Sequence, residues 1–474
     1  MHLLSPRNPT LILAAVFLIL GAYLYFFELP DKNAREEAGL NETRVLDVTA
    51  DSIETIIIRH PEEEIHLEKQ GPEDWTIRRP LETEADAQEV RGLISTLVDL
   101  RHERIVEETG AEAAEFGLDH PFLEVVLESS DRSETIRIGD DAPVGGAVFL
   151  DRGSDGRVVT VQKWVQGALT RTAFDLREKT ILSFTPERID GIKLQFPEHT
   201  LTFEKKPDGW EVTDPVQAPG DPETFTALLN ALQNLRADAF IDPGEAYDQT
   251  MTTLTTPLVE ISLREGTRVH QARIFDSPDR EKVQVLRAET DPVFGTPRFI
   301  MDSLQAEPFH YQDKHLVFFD PGQVLKVEVR GPLEQYTLTR GDGGWKLDGS
   351  DEAIHVHLAD RLVDQIQKLE AFQQAEESSR NRLSSGLESA GHVLNLFGRD
   401  SQPLASIRIG NEWKGMLFAL GRPALGEVMI DKDFLDEIPR KNELVSPKED
   451  EPADSPPGEG ENPPPHPAEG SLKP

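Results

Sequence analysis

The chain has 474 residues, and its 38% hydrophobic and 28% charged content is ordinary for folded domains with polar surfaces. Acidic residues number 86 against 49 basic ones, and the formal net charge of −37 disfavours binding to nucleic acid or to anionic lipid headgroups. The sequence contains no cysteine, which excludes disulfides, thiolate chemistry and zinc–thiolate sites.

An uncharged apolar run occupies residues 11–27, close to the N-terminus. Together with Pro9 and Thr10 it would form a helix about 28 Å long, close to the hydrocarbon thickness of a bilayer. Aromatic residues crowd its C-terminal end, where a membrane-interface belt is expected. We therefore predict a single transmembrane anchor over residues 9–29. The alternative is a cleaved signal peptide, which needs a small-residue cleavage site.

The flanks of this segment suggest its orientation. Residues 1–8 contain Arg7 and are predicted to be a cytoplasmic tail, while residues 30–43 form a polar linker. Lys32 and Arg35 lie on the far side and weaken the charge asymmetry. We expect a single-pass protein of the cytoplasmic (inner) membrane, with the bulk of the chain extracytoplasmic or periplasmic.

Beyond the linker, a tryptophan after a Gly/Asp turn recurs at one fixed spacing. Trp75, Trp210 and Trp345 are separated by 210 − 75 = 135 and 345 − 210 = 135 residues. Such a period indicates tandem copies of one structural unit. The predicted boundaries are 44–184 for repeat 1, 185–319 for repeat 2 and 320–440 for repeat 3.

The order of predicted elements is the same in each copy. Apolar alternation predicts a three-stranded meander that ends at the tryptophan, which is expected to point inward. A helix follows, with Leu97 and Leu232 at equivalent positions 135 residues apart. Asp86 and Asp221 are good helix caps, whereas His355 stands at the third helix start. Strand pairs come next, then a short helix near Trp164.

These elements predict an α+β fold, with a transmembrane helix followed by three tandem, mostly antiparallel sheet-plus-helix repeats of about 135 residues. Residues 179–184 and 314–319 match at the same spacing and are interpreted as closing repeats 1 and 2. The chain contains no third copy of that element, so repeat 3 is predicted to be truncated. Residues 441–474 are rich in Pro and Glu and are predicted to be a disordered tail.

A second motif follows the helix of repeat 1. It reads Phe-Gly-Leu-Asp-His-Pro over residues 116–121, and Ile-Arg-Ile-Gly ends at Gly139. With the leading anchor and Trp75, this order resembles the bacterial family known as domain of unknown function 4340. The resemblance is best over repeat 1. Repeat 3 departs from it, with Ala390 where the proline would be.

Members of that family resemble envelope proteins that accompany gliding-type ABC transporters and their auxiliary membrane subunits. The resemblance therefore implies an accessory role beside a transporter, with a membrane-protein partner such as an ABC permease or auxiliary subunit. It implies no enzymatic activity. The repeated motif positions are interpreted as core markers: Trp75, Trp210, Trp345, Leu118, Pro121, Leu254, Pro257 and Leu387.

Three stretches of the sequence are candidates for binding sites. His355 and His357 have metal-ligand spacing on a strand, but no third ligand is evident, and structural histidines are the simpler interpretation. Residues 151–156 resemble a calcium loop only faintly and read better as a hairpin turn. The acidic loop 139–146 is either a binding loop or a long hairpin. Its candidate binding residues are Asp140, Asp141, Gly145 and Gly146.

No catalytic constellation, metal site or cofactor site is evident in the sequence. Lys179 and Lys314 recur in register and are interpreted as repeat-closing ion-pair partners. We therefore expect a non-enzymatic, membrane-anchored extracytoplasmic scaffold or adaptor. The alternatives are a periplasmic small-ligand or calcium-binding module and an envelope hydrolase.

Overall fold

The computed structural model describes residues 43–107, 113–153, 155–287, 291–375 and 385–445. The predicted cytoplasmic tail and anchor, the linker up to residue 42 and the C-terminal tail from residue 446 lie outside the described residues. Within the described ranges, no helix is long and apolar enough to cross a membrane.

The first sheet and its helices form repeat 1. The strands are β1 (Thr55–His60), β2 (Glu63–Lys69), β3 (Trp75–Arg79), β4 (Thr83–Glu84), β5 (Arg104–Glu107), β6 (Leu123–Glu128), β7 (Ser133–Asp141), β8 (Ala147–Arg152) and β9 (Arg157–Gln162). The helices are α1 (Ala87–Val98), α2 (Trp164–Leu169) and α3 (Ala173–Leu176). The nine strands are antiparallel and are ordered β4-β3-β2-β1-β6-β7-β8-β9-β5.

Repeat 2 has the same nine-stranded order, β13-β12-β11-β10-β15-β16-β17-β18-β14. These strands are β10 (Gly191–Gln195), β11 (Thr200–Lys206), β12 (Gly209–Asp214), β13 (Ala218–Pro219), β14 (Ala239–Ile241), β15 (Val259–Glu265), β16 (Arg268–Asp276), β17 (Lys282–Leu286) and β18 (Val293–Pro297). Its helices are α4 (Pro222–Gln233), α5 (Glu245–Thr253) and α6 (Pro308–Tyr311).

Repeat 3 has eight strands in the order β21-β20-β19-β23-β24-β25-β26-β22. They are β19 (Lys326–Arg330), β20 (Gln335–Gly341), β21 (Gly344–Leu347), β22 (Gln373–Gln374), β23 (His392–Phe397), β24 (Pro403–Trp413), β25 (Met416–Leu420) and β26 (Val428–Asp431). The helices are α7 (Val356–Lys368), α8 (Phe434–Glu437) and α9 (Lys441–Leu444). The α+β class with three antiparallel sheets is confirmed.

Short 3₁₀ helices connect these elements. They cover Ala50–Ser52, Ala113–Phe116, Pro186–Arg188, Arg298–Ser303, Pro321–Gln323, Arg399–Ser401 and Pro423–Leu425.

The long helix of each repeat forms because its apolar residues fall on one face. In α1 that face is Val90, Leu93, Ile94 and Leu97, all of which are buried. The carboxylate of Asp86 accepts hydrogen bonds from the backbone N–H groups of Gln88 and Glu89, which would otherwise lack partners. Asp221 caps α4 in the same way through Glu223.

After the long helix, the chain returns to the opposite edge of the sheet. In repeat 1 the edge strand β5 pairs with β9, although β3 and β4 lie at the other edge. Strands β14 and β22 do the same in repeats 2 and 3. The segment that contains the helix thus carries the chain from one edge of the sheet to the other, an arrangement that was not predicted from the sequence.

The predicted ends of repeats 1 and 2 are wrong. Residues 179–184 and 314–319 open the following repeat instead of closing the preceding one. Ile181, Leu182 and Phe184 belong to the core of repeat 2, and Leu316 and Val317 belong to that of repeat 3.

The reason is a pairing shared by all three repeats. The opening segment of each repeat pairs with the residue that follows the long helix, through the bridges Arg44↔Arg101, Thr180↔Arg236 and His315↔Glu370. Accordingly, the chain divides into two compact units between Lys179 and Thr180. The first unit contains repeat 1 and the second contains repeats 2 and 3.

Repeat 3 is not truncated. Each repeat also ends on a shared pairing, between the residue before the long helix and the residue after the last short helix. These bridges are Ala85↔Arg177, Gly220↔Gln312 and Ile354↔Val445. Repeat 3 therefore extends from about residue 315 to residue 445, beyond the predicted limits of 320 and 440.

A second, smaller core lies on the sheet face opposite the long helix. In repeat 2, Tyr247 of α5 packs with Phe275, Leu286 and Val293. In repeat 3, Leu387 packs with Phe418 and Met429 in the same part of the sheet. Both faces of these sheets are therefore partly covered.

Candidate functional site

The three repeated tryptophans contribute to packing between the meander and the long helix. Trp75 and Trp345 are 6% and 3% exposed, whereas Trp210 is only partly buried. The Trp345 indole N–H donates to Asp360 Oδ1 of α7 at 2.8 Å. Trp210 stacks on Phe225 of α4 with ring centroids 4.9 Å apart.

The two family-like motifs meet where Gly139 passes close to the backbone of Phe116 and Gly117. A Cβ placed on Gly139 would lie 2.1 Å from the carbonyl oxygen of Phe116, so only glycine fits. In repeat 3, a Cβ placed on Gly410 would lie 2.0 Å from the carbonyl oxygen of Ser385. Gly117 has a φ of +68°, which also favours glycine. The glycines of these motifs are therefore required by the backbone packing of the fold.

The remaining marker residues lie in separate packing contacts. Leu118 and Leu387 are buried, and Leu254 packs against the small core around Tyr247. Pro121 and Pro257 are partly buried, and each lies two residues before the first strand of a pair. The structure does not bring these markers together into one site.

Residues 139–141 of the predicted loop are the end of β7, and residues 142–146 join β7 to β8. The strand pairing shifts register between Ile138 and Asp141, which produces an irregularity at Gly139 and Asp140. Asp140 lies against Gly117, while Asp141 forms an exposed ion pair with Lys163. Gly145 and Gly146 have positive φ values of +93° and +65° and face open space. The two carboxylates therefore have different neighbours.

The histidine and calcium-loop candidates occupy ordinary structural positions. His355 directly precedes α7 and His357 lies in its first turn, with ring centroids 5.6 Å apart. Asp151 accepts a hydrogen bond from Arg137 Nη1 at 3.1 Å. Across the described ranges, no three His, Asp or Glu side chains are grouped so that they could hold a metal ion.

Asp151 belongs to a charged row across sheet 1. Glu124 accepts hydrogen bonds from Arg59 at 2.6 Å and from Arg137 at 2.7 Å, and Arg137 also reaches Asp151. Burial acts to raise the pKa of Glu124, but the two arginines outweigh it and hold the pKa below its ordinary value. This row of ion pairs holds neighbouring strands of the first sheet together.

The repeated lysines lie at the ends of short helices. Lys179 Nζ donates to the carbonyl oxygen of Asp175 at 2.7 Å and lies 4.9 Å from the Phe174 ring centroid. Lys314 Nζ donates to the carbonyl oxygen of His310 at 3.2 Å. Both lysines bind carbonyl groups at a helix C-terminus, where a cation is favourable.

A groove of about 810 Å³ opens in repeat 3 beside the turn between β19 and β20. We call it the repeat-3 groove. Its lining is mixed, with apolar side chains beside three acidic ones, and includes Pro332, Leu333, Glu334, Tyr336, His392, Leu435, Asp436, Ile438, Pro439, Arg440 and Glu443. Leu333 is 96% exposed at this position.

The repeat-3 groove has fixed walls. The Tyr336 hydroxyl donates to the carbonyl oxygen of Pro439 at 2.7 Å, and burial raises the pKa of that hydroxyl. Glu334 Oε2 accepts from the backbone N–H of Lys441 at 2.7 Å, which ties the strand turn to α9. Burial lowers the pKa of His392. Sequence analysis missed the groove because its walls lie about a hundred residues apart.

A second cavity, of about 430 Å³, lies in repeat 1 between the C-terminal end of α1 and the start of α2. We call it the Trp164 cavity. It is lined by Ser95, Thr96, Asp99, Leu100, Arg101, His102, Glu103, Gln162, Trp164 and Val165. Trp164 is 62% exposed, unlike the repeated core tryptophans.

Comparison with known proteins gives one match. A family model described as a domain of unknown function (DUF4340) matches residues 75–257 and again residues 252–389. No curated protein matches the chain. The matched ranges include Trp75 and Trp345, Gly139 and the Phe-Gly-Leu-Asp-His-Pro motif, and together they span more than half of the chain.

Proposed function

The chain belongs to the family described as a domain of unknown function (DUF4340), and on that premise we propose that it is a non-enzymatic, membrane-anchored extracytoplasmic scaffold or adaptor. In this proposal residues 9–29 hold it in the cytoplasmic (inner) membrane and the repeats lie outside. The partner is a membrane protein, such as an ABC permease or auxiliary subunit of a gliding-type envelope system.

The observation that carries this proposal is the repeat-3 groove. A leucine that is 96% exposed would be stabilised by a partner that covers it, because burial of apolar surface is favourable. Pro332, Leu435 and Ile438 line the same groove, so it offers several apolar side chains besides Leu333. A groove with apolar anchors and a polar rim is a common way to bind a protein segment.

Charge narrows the chemistry of the partner segment. Glu334, Asp436 and Glu443 line the groove against the single cation Arg440, and the whole chain carries a net charge of −37. The best-matched segment therefore presents an apolar side chain next to a lysine or arginine. The positions of the motif residues are consistent with this role, because Gly139 and Trp345 are engaged in packing and the exposed surface is left for recognition.

The test is crosslinking in cells, followed by co-purification of the tagged full-length protein from native membranes. We expect an ABC permease or its auxiliary subunit at near-stoichiometric yield. If the protein is recovered alone at equal crosslinking efficiency, the adaptor proposal is wrong.

A further inference from the structure

The Trp164 cavity has the composition of a saccharide site. A pyranose ring presents an apolar face of C–H groups and a rim of hydroxyls. It therefore needs an aromatic surface beside carboxylates, amides or guanidinium groups. Repeat 1 provides all of these in one cavity, with Trp164, Gln162, Arg101 and Glu103 among the lining residues.

The aromatic surface is both exposed and held in place. The Trp164 indole N–H donates to Gln162 Oε1 at 2.7 Å, which fixes the orientation of the ring. The Gln162 amide NH₂ remains a donor for a ligand hydroxyl. A tryptophan that is 62% exposed beside polar groups differs from Trp75 of the same repeat, which is 6% exposed in the core.

The equivalent position in repeat 2 keeps an arginine and an acid, Arg236 and Asp238, but lacks the tryptophan and the glutamine. Trp164 is replaced there by Phe299 and Gln162 by Pro297, while Thr96 and His102 are replaced by Ala231 and Ala237. The pairing of Trp164 with Gln162 therefore distinguishes repeat 1 from repeat 2 and is not a requirement of the fold that the two share.

The acidic residue of this site also differs between the two repeats. In repeat 2, Asp238 forms an ion pair with Lys282 at 2.8 Å. In repeat 1 the equivalent acid is Glu103, which is exposed, and Ala147 stands where the lysine would be. The Glu103 carboxylate is thus available to accept hydrogen bonds from a ligand.

Arg101 supplies a donor to the same cavity. Arg101 is partly buried at the cavity wall, and its guanidinium group carries five N–H donors.

We propose that the Trp164 cavity binds a neutral mono- or disaccharide. The volume of about 430 Å³ lies within the range of roughly 300–1,000 Å³ that small-molecule pockets have. Asp99 and Glu103 outnumber Arg101, so a sugar with carboxylate or phosphate groups would be repelled.

The experiment uses the purified full-length protein in detergent. Glucose, galactose, mannose, N-acetylglucosamine, maltose, lactose and chitobiose are titrated, with choline as a cationic probe, and binding is followed by saturation-transfer NMR. We expect at least one saccharide to bind at millimolar concentration or better. Trp164→Ala should weaken that binding about tenfold or more, and Trp164→Phe should weaken it less.

Phe299→Ala is the matched control, because it removes the exposed ring at the equivalent position of repeat 2. It should leave saccharide binding unchanged, and the thermal melts of all three variants should resemble that of the wild type. Gln162→Ala gives a second variant that keeps the Trp164 ring, and it should also weaken binding. The proposal is overturned if no saccharide binds, if only choline binds, or if Trp164→Ala binds as well as the wild type.

Discussion

Repeats 1 and 2 have the same skeleton but different surfaces. Their nine strands follow the same order, and both begin and end on equivalent bridges. Yet repeat 1 carries Trp164 beside polar groups, whereas repeat 2 carries Phe299 and an Asp238–Lys282 ion pair at that place. The comparison separates residues that build the fold from residues that are available for recognition. Four predictions test this separation, from the largest expected effect to the smallest.

Gly139→Val should be the most damaging substitution. Its Cβ would meet the backbone carbonyl of Phe116, so either the 3₁₀ helix that ends at Phe116 or strand β7 would have to shift. We expect a loss of about 3 kcal/mol or more, or failure to fold. The control is Gly92→Ala in α1, where a Cβ meets nothing within 4 Å; it should be neutral or stabilising by up to about 1 kcal/mol. Urea unfolding followed by circular dichroism measures both, and equal stability would contradict the packing role of Gly139.

Leu97→Ala and Leu232→Ala should have similar effects in the two repeats. Both side chains belong to the long helix of their repeat, at equivalent positions, and both are fully buried. Each substitution should cost about 2–5 kcal/mol, because it leaves a cavity in the core. Calorimetry of the full-length protein measures the change. A large effect in one repeat and none in the other would show that the two cores are not equivalent.

Asp86→Ala and Asp221→Ala should each cost about 1 kcal/mol, because each removes a carboxylate that accepts backbone N–H groups at a helix start. The substitution to Asn should restore most of the loss, since an amide oxygen also accepts. Denaturant midpoints of the Ala and Asn variants provide the comparison. An Asn variant as unstable as the Ala variant would argue against capping.

Glu124→Gln should reduce the acid sensitivity of repeat 1. The pKa of Glu124 is held below its ordinary value in the folded protein, so its stabilising effect is present above the ordinary carboxyl range and is lost as pH falls through the folded pKa. The effect should be below about 1 kcal/mol, because the arginines that pair with it are partly exposed. Unfolding midpoints at neutral and acidic pH should differ less in the variant than in the wild type. Glu62→Gln, at an exposed turn position, is the control and should leave the pH dependence unchanged.

Much of the fold could be predicted from local patterns. The hairpins follow from apolar alternation; for example, Leu123 pairs with Ile138 in the predicted strand pair. The long helices follow from their apolar spacing and aspartate caps. The edge strand β5 could not be predicted, because Arg104, Ile105 and Val106 are all exposed and show no alternation. Repeat ends were misplaced because Thr180 pairs with Arg236, a contact far apart in sequence.

The candidate sites were less accessible to sequence analysis. The 135-residue period identifies residues that repeat, such as Trp75 and Trp345, and these residues lie in packing contacts. Two residues that line the Trp164 cavity, Trp164 and Gln162, differ between repeats 1 and 2. Trp164 was visible as an aromatic residue in a short helix, but its exposure depends on the neighbouring end of α1.

The adaptor proposal is tested most directly by the effect of Leu333→Asp on partner recovery. The tagged wild type, Leu333→Asp and Val144→Asp are crosslinked in cells and purified from native membranes in parallel. Both side chains are highly exposed, at 96% and 85%, so neither variant should unfold. We predict that Leu333→Asp reduces recovery of the permease or auxiliary subunit about tenfold while Val144→Asp does not. Equal recovery with all three proteins would contradict the role of the repeat-3 groove.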